Sequence, residues 1–365
     1  MNTQQWRSVS VNELNSFAGG PRTQAADSRA QRHDSRAATS VGAHHRCGVA
    51  VIIGVVTARA QPFVAFPPGS RHVVVPLRPR RASVNGLRLY EATSPTRRAA
   101  AAGARGLARL GAGTAIGLGG RVALQDAAWW QDLRARVAEP LLGPLPGLAV
   151  RHADDRCWAL LMSRDGQPRA FVKVRPSEQA VSWEPDVLHL LAVDRPAAFR
   201  VPRLLADGTL GGRHYRILEP LPEGGTRPPP YSAARVAGVV DELQRRLAPL
   251  ARPADVPDHH VPGHGDFTPW NLRRAGGDLW LFDWEDGGWA PRLADEVRFW
   301  AAVHASRRLR SPARAARELL ALLLRRGTPD EVGEAAAWPE WNRPSERQLR
   351  QALLALLADP ARATA

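Results

Sequence analysis

The chain has 365 residues and a hydrophobic fraction of 44%, enough for two domains or for one large two-lobed domain. Its formal net charge of +15 would ordinarily suggest nucleic acid or an anionic membrane as a partner. Of the 50 basic residues, however, only Lys173 is a lysine. Because the arginines accompany many alanines, prolines and glycines, we interpret the charge as a bias of the whole sequence. It does not favour nucleic acid as the partner.

The two cysteines, Cys47 and Cys157, lie far apart and show neither metal-ligand spacing nor a disulfide framework. This usage is typical of a reducing compartment, and we expect a cytoplasmic protein. No apolar run approaches the roughly 18 residues of a membrane-spanning helix, so we expect no membrane association. Residues 48–56 are similar to the apolar core of a signal peptide, but they follow a long polar stretch, which does not fit an export signal.

The first third of the chain is predicted to contain two segments. Residues 1–66 lack sustained periodicity and are rich in polar residues and arginine, which predicts disorder or a gene-model extension. Residues 67–125 form an accessory segment, with a strand at 71–77 and an Ala/Arg-rich helix at 97–110. The glycines of 111–120 follow a helix and miss the spacing of a phosphate-binding loop, which predicts a linker.

Residues 126–219 are predicted to form a β-rich N-terminal lobe, because short apolar runs alternate with tight turns. The predicted elements are strands at 148–152, 157–163 and 169–174, a helix at 182–192, and strands at 201–208 and 213–221. The first three strands form an antiparallel meander.

Residues 220–365 are predicted to form a helical C-terminal lobe, joined to the first lobe by a hinge near 219–222. The apolar periodicity predicts helices at 232–250, 293–310, 312–326 and 345–358. The predicted fold class is therefore α+β with two lobes: an antiparallel β-rich N-terminal lobe with one helix, a mainly helical C-terminal lobe, and an N-terminal extension.

The strongest chemical signal is a set of polar residues at fixed intervals: His264, Asp266, Asn271 and Asp283. Phosphoryl transfer needs a carboxylate that orients the attacking hydroxyl, and oxygen ligands that hold Mg²⁺ against the phosphates. Asp266 suits the first role, whereas Asn271 and Asp283, the latter on a predicted strand, suit the second. The spacing matches the H-x-D-x-x-x-x-N catalytic loop of kinases. We expect His264 to brace this loop.

Two runs, GHGDFTPWNL at 263–272 and LWLFDWED at 279–286, resemble the catalytic and metal-binding segments of the aminoglycoside phosphotransferase family. That family is itself similar to choline and homoserine kinases and has a protein-kinase-like, two-lobed fold. The resemblance implies that Asp266 is the catalytic aspartate and that Asn271 and Asp283 are metal ligands. It further implies that Asp295 supports the catalytic loop from the next helix.

Lys173 provides an independent indication in the N-terminal lobe. Kinase-like folds need a cation on the third strand and a helix carboxylate that orients it, and Lys173 lies on the third predicted strand. A lysine in a chain this rich in arginine indicates that a compact point charge is required. Glu184 fits the E-x-x-x-L-x-x-L helix of the family and is the preferred partner, with Glu178 as the alternative.

Two further segments concern the nucleotide. The resemblance implies that backbone groups around Glu219 to Leu221 contact the adenine edge. The turn between the first two strands of the meander has no glycine, unlike the flexible loop that usually approaches the phosphates. Its Asp154 and Asp155 would repel phosphates unless Mg²⁺ or Arg156 offsets their charge.

These features together predict a Mg²⁺-dependent phosphotransferase that moves the γ-phosphate of ATP or GTP to a hydroxyl group of an aminoglycoside-, choline- or sugar-like small molecule. Two alternatives stay open at this point. One is a pseudokinase that binds a nucleotide or a partner without transfer, and the other is a basic nucleic-acid-binding protein. The oligomeric state is not predicted.

Overall fold

The computed structural model describes residues 62–68, 72–90, 95–116, 121–153, 155–177, 182–226, 231–306, 311–338 and 344–359. All of them belong to one compact unit, Ala58–Ala365. The predictions made for residues 1–61, including Cys47, and those made for Asp154 and Glu178 lie outside the described residues.

The N-terminal lobe is built on an eight-stranded sheet. Its strands are β1 (Phe63–Phe66), β2 (Val73–Pro76), β3 (Arg121–Val122), β4 (Gly147–Ala153), β5 (Arg156–Met162), β6 (Pro168–Pro176), β7 (Leu204–Leu210) and β8 (Arg213–Leu218). Their spatial order is β3-β1-β2-β4-β5-β6-β8-β7, and the neighbouring strands pair antiparallel. The predicted meander is confirmed as β4-β5-β6, and the two later strands as β7 and β8.

The accessory segment continues this sheet. Strand β1 pairs with β2, and β2 pairs with β4 through Val73 opposite Arg151. The sheet therefore begins at Phe63, four residues before the start predicted for the accessory segment. Strand β1 was not predicted because its four apolar residues end a segment that is rich in polar residues and arginine, and so short a run does not by itself distinguish a buried strand from other structure.

Eleven α-helical segments are present in the described residues. They are α1 (Arg80–Gly86), α2 (Pro95–Arg109), α3 (Gly113–Ile116), α4 (Ala127–Leu133), α5 (Glu139–Leu142), α6 (Glu184–Val193), α7 (Ala233–Leu247), α8 (Ala294–Ser306), α9 (Pro312–Leu323), α10 (Pro329–Ala337) and α11 (Pro344–Ala358). The predicted helices are confirmed as α2, α6, α7, α8, α9 and α11. The short helix α3 lies in the predicted linker, and α1, α4, α5 and α10 were not predicted.

The two faces of the sheet carry separate apolar cores. One face packs against α1 and α2 and includes Val75 and Leu160. The other packs against α4 and includes Leu161 and Val172. Successive strand residues point to opposite faces, so Leu160 and Leu161 enter different cores. The accessory helices thus cover a face that would otherwise be exposed.

Two short antiparallel strand pairs organise the C-terminal lobe. Strand β9 (Val261–Gly263) pairs with β12 (Gly288–Ala290), and β10 (Leu272–Ala275) pairs with β11 (Asp278–Leu281). Helices α6 and α7 share an apolar core with this region, and α8 to α11 form the remaining core. The predicted two-lobed α+β architecture is confirmed. Among the described helices, none combines the length and hydrophobicity that crossing a bilayer requires.

Candidate active site

The loop between β9 and β10 holds the predicted catalytic residues. Gly265 in this loop has φ +78°, and a Cβ there would collide with the backbone oxygen of Asp286, so glycine is required. The backbone amides of His264 and Gly265 donate hydrogen bonds to Asp295 at the start of α8, at 2.8 and 3.1 Å. Asp295 is buried. It therefore fixes the path of the loop from the next helix, as the resemblance implied.

His264 is fully buried inside the loop. Its Nε2 lies 3.2 Å from the carbonyl oxygen of Phe282, and its ring lies 4.5 Å from that of Trp284. Burial lowers the pKa of His264 to about 4, although the nearby Asp283 opposes this shift. The imidazole is therefore neutral at physiological pH and ties the loop to the segment after β11.

This burial predicts a measurable loss of stability in acid. Because the folded pKa of about 4 lies below the ordinary value of 6.5, the stabilising contribution is complete above pH 6.5 and is lost as the pH falls through 4. The pKa difference corresponds to about 3 kcal/mol. Urea unfolding between pH 7.5 and 4.5 should show a weaker pH dependence in His264→Gln than in the wild type. The same substitution at the exposed His189 should leave the pH dependence of the wild type intact. If His264→Gln showed the same pH dependence of unfolding as the wild type, His264 would not be the buried, neutral histidine described here.

Asp266 is held in one orientation by two neighbours. The Asn271 amide nitrogen donates to the Asp266 backbone oxygen and to its Oδ2, both at 2.9 Å. Arg298 of α8 contacts the Asp266 Oδ1 at 3.1–3.2 Å. Burial, together with Asp286 and Asp283, raises the pKa of Asp266, whereas Arg298 opposes the shift. Because the Asp266 side chain is 20% exposed, it can still meet a substrate.

Asp283 lies beyond a strand rather than on one, which corrects the prediction. Strand β11 ends at Leu281, and Asp283 has φ +72°, a left-handed conformation that few residues other than glycine adopt. The backbone amide of Phe282 donates to the backbone carbonyl oxygen of Asn271 at 3.2 Å, which joins this segment to the catalytic loop. The Asp283 side chain is 46% exposed. Asp283 therefore carries a partly exposed carboxylate on a segment that is bonded to the catalytic loop.

Lys173 lies on β6 and is surrounded by carboxylates. Its Nζ is 2.7 Å from Asp283, 2.8 Å from Glu184 and 3.1 Å from Glu285. Burial alone would lower the pKa of Lys173, but the three negative charges raise it above its ordinary value. Lys173 is therefore a permanent cation. The preferred partner Glu184 makes the expected contact, and the alternative Glu178 lies outside the described residues.

Glu184, the first residue of α6, is fully buried and has a second cationic partner. Arg216 of β8, which lies opposite Lys173 in the sheet, contacts Glu184 through Nη1 at 2.6 Å. Burial would raise the pKa of Glu184, but Lys173 and Arg216 lower it. The backbone amide of Trp284 also donates to Glu184 at 3.3 Å. This carboxylate consequently links the two lobes.

Two site residues escaped the sequence analysis, Glu285 and Arg175, whereas Arg156 was considered there as a charge that could offset the aspartates of the turn. Glu285 contacts Arg175 at 3.2 Å and Arg156 at 3.4 Å, in addition to Lys173. Arg175 lies two residues after Lys173 on β6 and therefore on the same face, a signal present in the sequence. Arg156 is the first residue of β5, directly after the glycine-free turn. This turn thus brings a cation to the site.

Glu219 and Leu221 follow β8 at the predicted hinge. The backbone amide of Glu219 donates to the Arg203 oxygen at 2.8 Å. Both residues line a cavity of about 320 Å³ together with Arg169 and Arg203. Lys173 is not among the residues that line this cavity.

No family model and no curated protein matches the chain. Solved structures do match. One is a putative fructosamine-3-kinase from Haemophilus somnus 129PT, which is 12% identical to this chain and has a TM-score of 0.39. The match covers 63% of this chain and 99% of that chain. An aminoglycoside phosphotransferase from Streptomyces rimosus ATCC10970, in complex with ADP and streptomycin, has 15% identity, coverages of 64% and 99%, and a TM-score of 0.35. A choline/ethanolamine kinase family protein from Mesorhizobium loti has 14% identity, coverages of 65% and 91%, and a TM-score of 0.32. The matched structures include an aminoglycoside phosphotransferase and a choline/ethanolamine kinase family protein.

Proposed function

We propose that the protein is a Mg²⁺-dependent phosphotransferase that moves the γ-phosphate of ATP or GTP to a hydroxyl group of a small molecule. The observation that carries this proposal is the convergence of two loops and one strand. The hydrogen bond from Phe282 to Asn271 joins the catalytic loop to the Asp283 turn, and the 2.7 Å contact joins Asp283 to Lys173. A carboxylate, two oxygen ligands and a cation therefore share one site.

Asp266 is the group that receives the acceptor hydroxyl. Asn271 and Arg298 fix its carboxylate, so that an oxygen can accept a hydrogen bond from the hydroxyl and take its proton as the phosphate is transferred. Asp266 need not be a strong base, because the main contributions in phosphoryl transfer are position and charge stabilisation.

Asn271 and Asp283 are the residues that would hold Mg²⁺. Asn271 uses its amide nitrogen on Asp266, which leaves the amide oxygen as its ligand atom, and the exposed carboxylate of Asp283 is a second hard oxygen donor. Mg²⁺ prefers such a set and keeps its other positions for water and phosphate oxygens. When bound, Mg²⁺ neutralises the charge of the phosphates.

Lys173 and two arginines are the candidates for direct phosphate contact. Lys173 is oriented by Glu184, while Arg156 and Arg175 converge on Glu285. The Glu285 carboxylate contacts all three cations and keeps them together in the absence of phosphate. We infer that Arg156 replaces the glycine-rich loop of other kinases with a charged side chain, which offsets the negative charge of the turn.

Arg156→Ala should raise the KM for Mg-ATP about tenfold with little change in kcat, because a charge-assisted hydrogen bond contributes roughly 1.5–3 kcal/mol. Steady-state kinetics at fixed acceptor concentration measure both parameters. Arg164→Ala in the exposed turn after β5 removes the same charge away from the site and serves as the matched control. If the KM for Mg-ATP were unchanged in Arg156→Ala, Arg156 would have no part in nucleotide binding.

A second candidate function is nucleotide binding without transfer. It is favoured by the three carboxylates that already surround Lys173, since phosphates must displace at least one of them. The two functions are separated by one experiment: thermal unfolding with Mg-ATP, followed by analysis of the nucleotide. Both predict a raised Tm, but only the phosphotransferase slowly converts ATP to ADP when water replaces the acceptor.

A further inference from the structure

A group of metal-ligating side chains lies in the C-terminal lobe outside the site described above. His259 and His260, which immediately precede β9, both approach Glu334 of α10. The Glu334 Oε1 is 2.8 Å from the Nε2 of His259 and 3.1 Å from the Nε2 of His260. One potential ligand atom from each residue lies within 4.8 Å of the other two. We propose that these three residues form a binding site for Zn²⁺ or a similar transition-metal ion.

The donor set determines the class of metal. Two imidazole nitrogens and one carboxylate oxygen suit Zn²⁺, which takes four ligands at about 2.0–2.2 Å. Ligand atoms of a tetrahedral zinc ion therefore lie roughly 3.3 Å apart. The two nitrogen–oxygen distances to Glu334 are already close to this spacing, so small side-chain rotations would admit the ion. Mg²⁺ prefers oxygen ligands, and the site therefore differs in chemistry from the one at Asn271 and Asp283.

Burial provides one anchored ligand and an open approach. The His260 side chain is only 5% exposed and packs edge-on against Trp338, with ring centroids 4.9 Å apart. His259 and Glu334 are 63% and 40% exposed, so a hydrated ion can reach the three ligand atoms from solvent. A water molecule would fill the fourth position, as in zinc sites with three protein ligands.

The position of the cluster indicates which parts of the fold a bound metal ion would join. Glu334 lies on α10, whose Val332, Ala335 and Ala336 belong to the core of the C-terminal helices. His260 lies just before β9, and β9 leads directly into His264. A bound metal would therefore fasten α10 to the strand that enters the catalytic loop. Ions that bind only the folded state raise its stability.

The test uses the full-length, metal-free protein and ZnCl₂ in isothermal titration calorimetry. The expected result is one equivalent of Zn²⁺ bound, a Tm that rises with Zn²⁺ concentration, and the same Zn²⁺ affinity in the presence of excess MgCl₂. Glu334→Gln and His259→Asn should each weaken Zn²⁺ binding at least tenfold. His259 is exposed, so its replacement should preserve the fold, as circular dichroism would verify.

His189→Asn, at an exposed position on α6, removes a histidine away from the cluster and should bind Zn²⁺ as the wild type does. Absence of stoichiometric binding in the wild type would overturn the proposal. Equal binding in Glu334→Gln, His259→Asn and the wild type would overturn it as well. Because phosphate transfer is not measured, this outcome is independent of the proposed enzymatic function.

Discussion

Replacement of Asp266 by asparagine is expected to lower kcat for phosphate transfer by about 10²–10⁴-fold while Mg-ATP binding is retained. Asparagine has the shape of aspartate and its single side-chain oxygen can accept the hydrogen bond from Asn271, while the contact with Arg298 is lost. The backbone hydrogen bonds to Asp295 should keep the loop in its conformation. Asparagine cannot accept the proton of the acceptor hydroxyl. Steady-state kinetics give kcat, and calorimetric titration with Mg-ATP gives the affinity.

The control for this prediction is Asp255→Asn, which removes a carboxylate from an exposed loop of the same lobe. Its turnover should equal that of the wild type. If Asp266→Asn were also fully active, the catalytic loop would have been assigned to the wrong residue. A loss of Mg-ATP binding in Asp266→Asn would instead contradict the view that this residue serves the acceptor.

Lys173→Met is expected to destabilise the fold by about 3–5 kcal/mol and to abolish Mg-ATP binding. The substitution preserves much of the side-chain volume but leaves Glu184, Asp283 and Glu285 without the cation that joins them. The cost falls mainly on Glu184 and Glu285, whose side chains are only 1% and 13% exposed, because water cannot replace the lost charge and their arginine partners replace it only in part. Urea unfolding measures the first effect, and calorimetry measures the second.

Two further variants separate charge from geometry at this position. Lys173→Arg keeps the charge, so it should be more stable than Lys173→Met yet poorly active, because a planar guanidinium does not replace a compact ammonium group. Arg164→Met, in an exposed turn, removes a charge without a buried partner and should leave stability near that of the wild type. Wild-type stability in Lys173→Met would mean that the carboxylates do not depend on this cation.

The gathering of the site residues at one place was predictable from the sequence, because the pattern constrains residue type and spacing together. Asp266, Asn271 and Asp283 lie close enough in sequence to form a motif, and Lys173 was visible as the single lysine. The left-handed conformation of Asp283 was not predictable, since nothing in the run LFDW requires it. The position of Arg216 opposite Lys173 depends on strand register, which local patterns do not determine.

Missed helices and strands have different causes. Helix α10 begins with a capping box, in which Thr328 and Glu331 each bond to the backbone of the other, and Pro329 occupies the first helical position between them. That signal was present in the sequence and was overlooked. The two-residue strand β3 is different, because so short a segment is a strand only through its pairing with β1. The contact of His259 with Glu334 likewise arises only from the tertiary fold.

The central claim is that this site transfers a phosphate from a nucleotide, and its most direct test is to follow the label of γ-³²P-ATP. The wild type is incubated with Mg²⁺, with and without a panel of aminoglycoside, amino-alcohol and sugar acceptors, beside Asp266→Asn. The account predicts Mg²⁺-dependent loss of label from ATP by the wild type, fastest with one acceptor class, and at least a hundredfold less by Asp266→Asn. Label that stays on ATP under every condition, or leaves it equally fast in both proteins, would contradict the account.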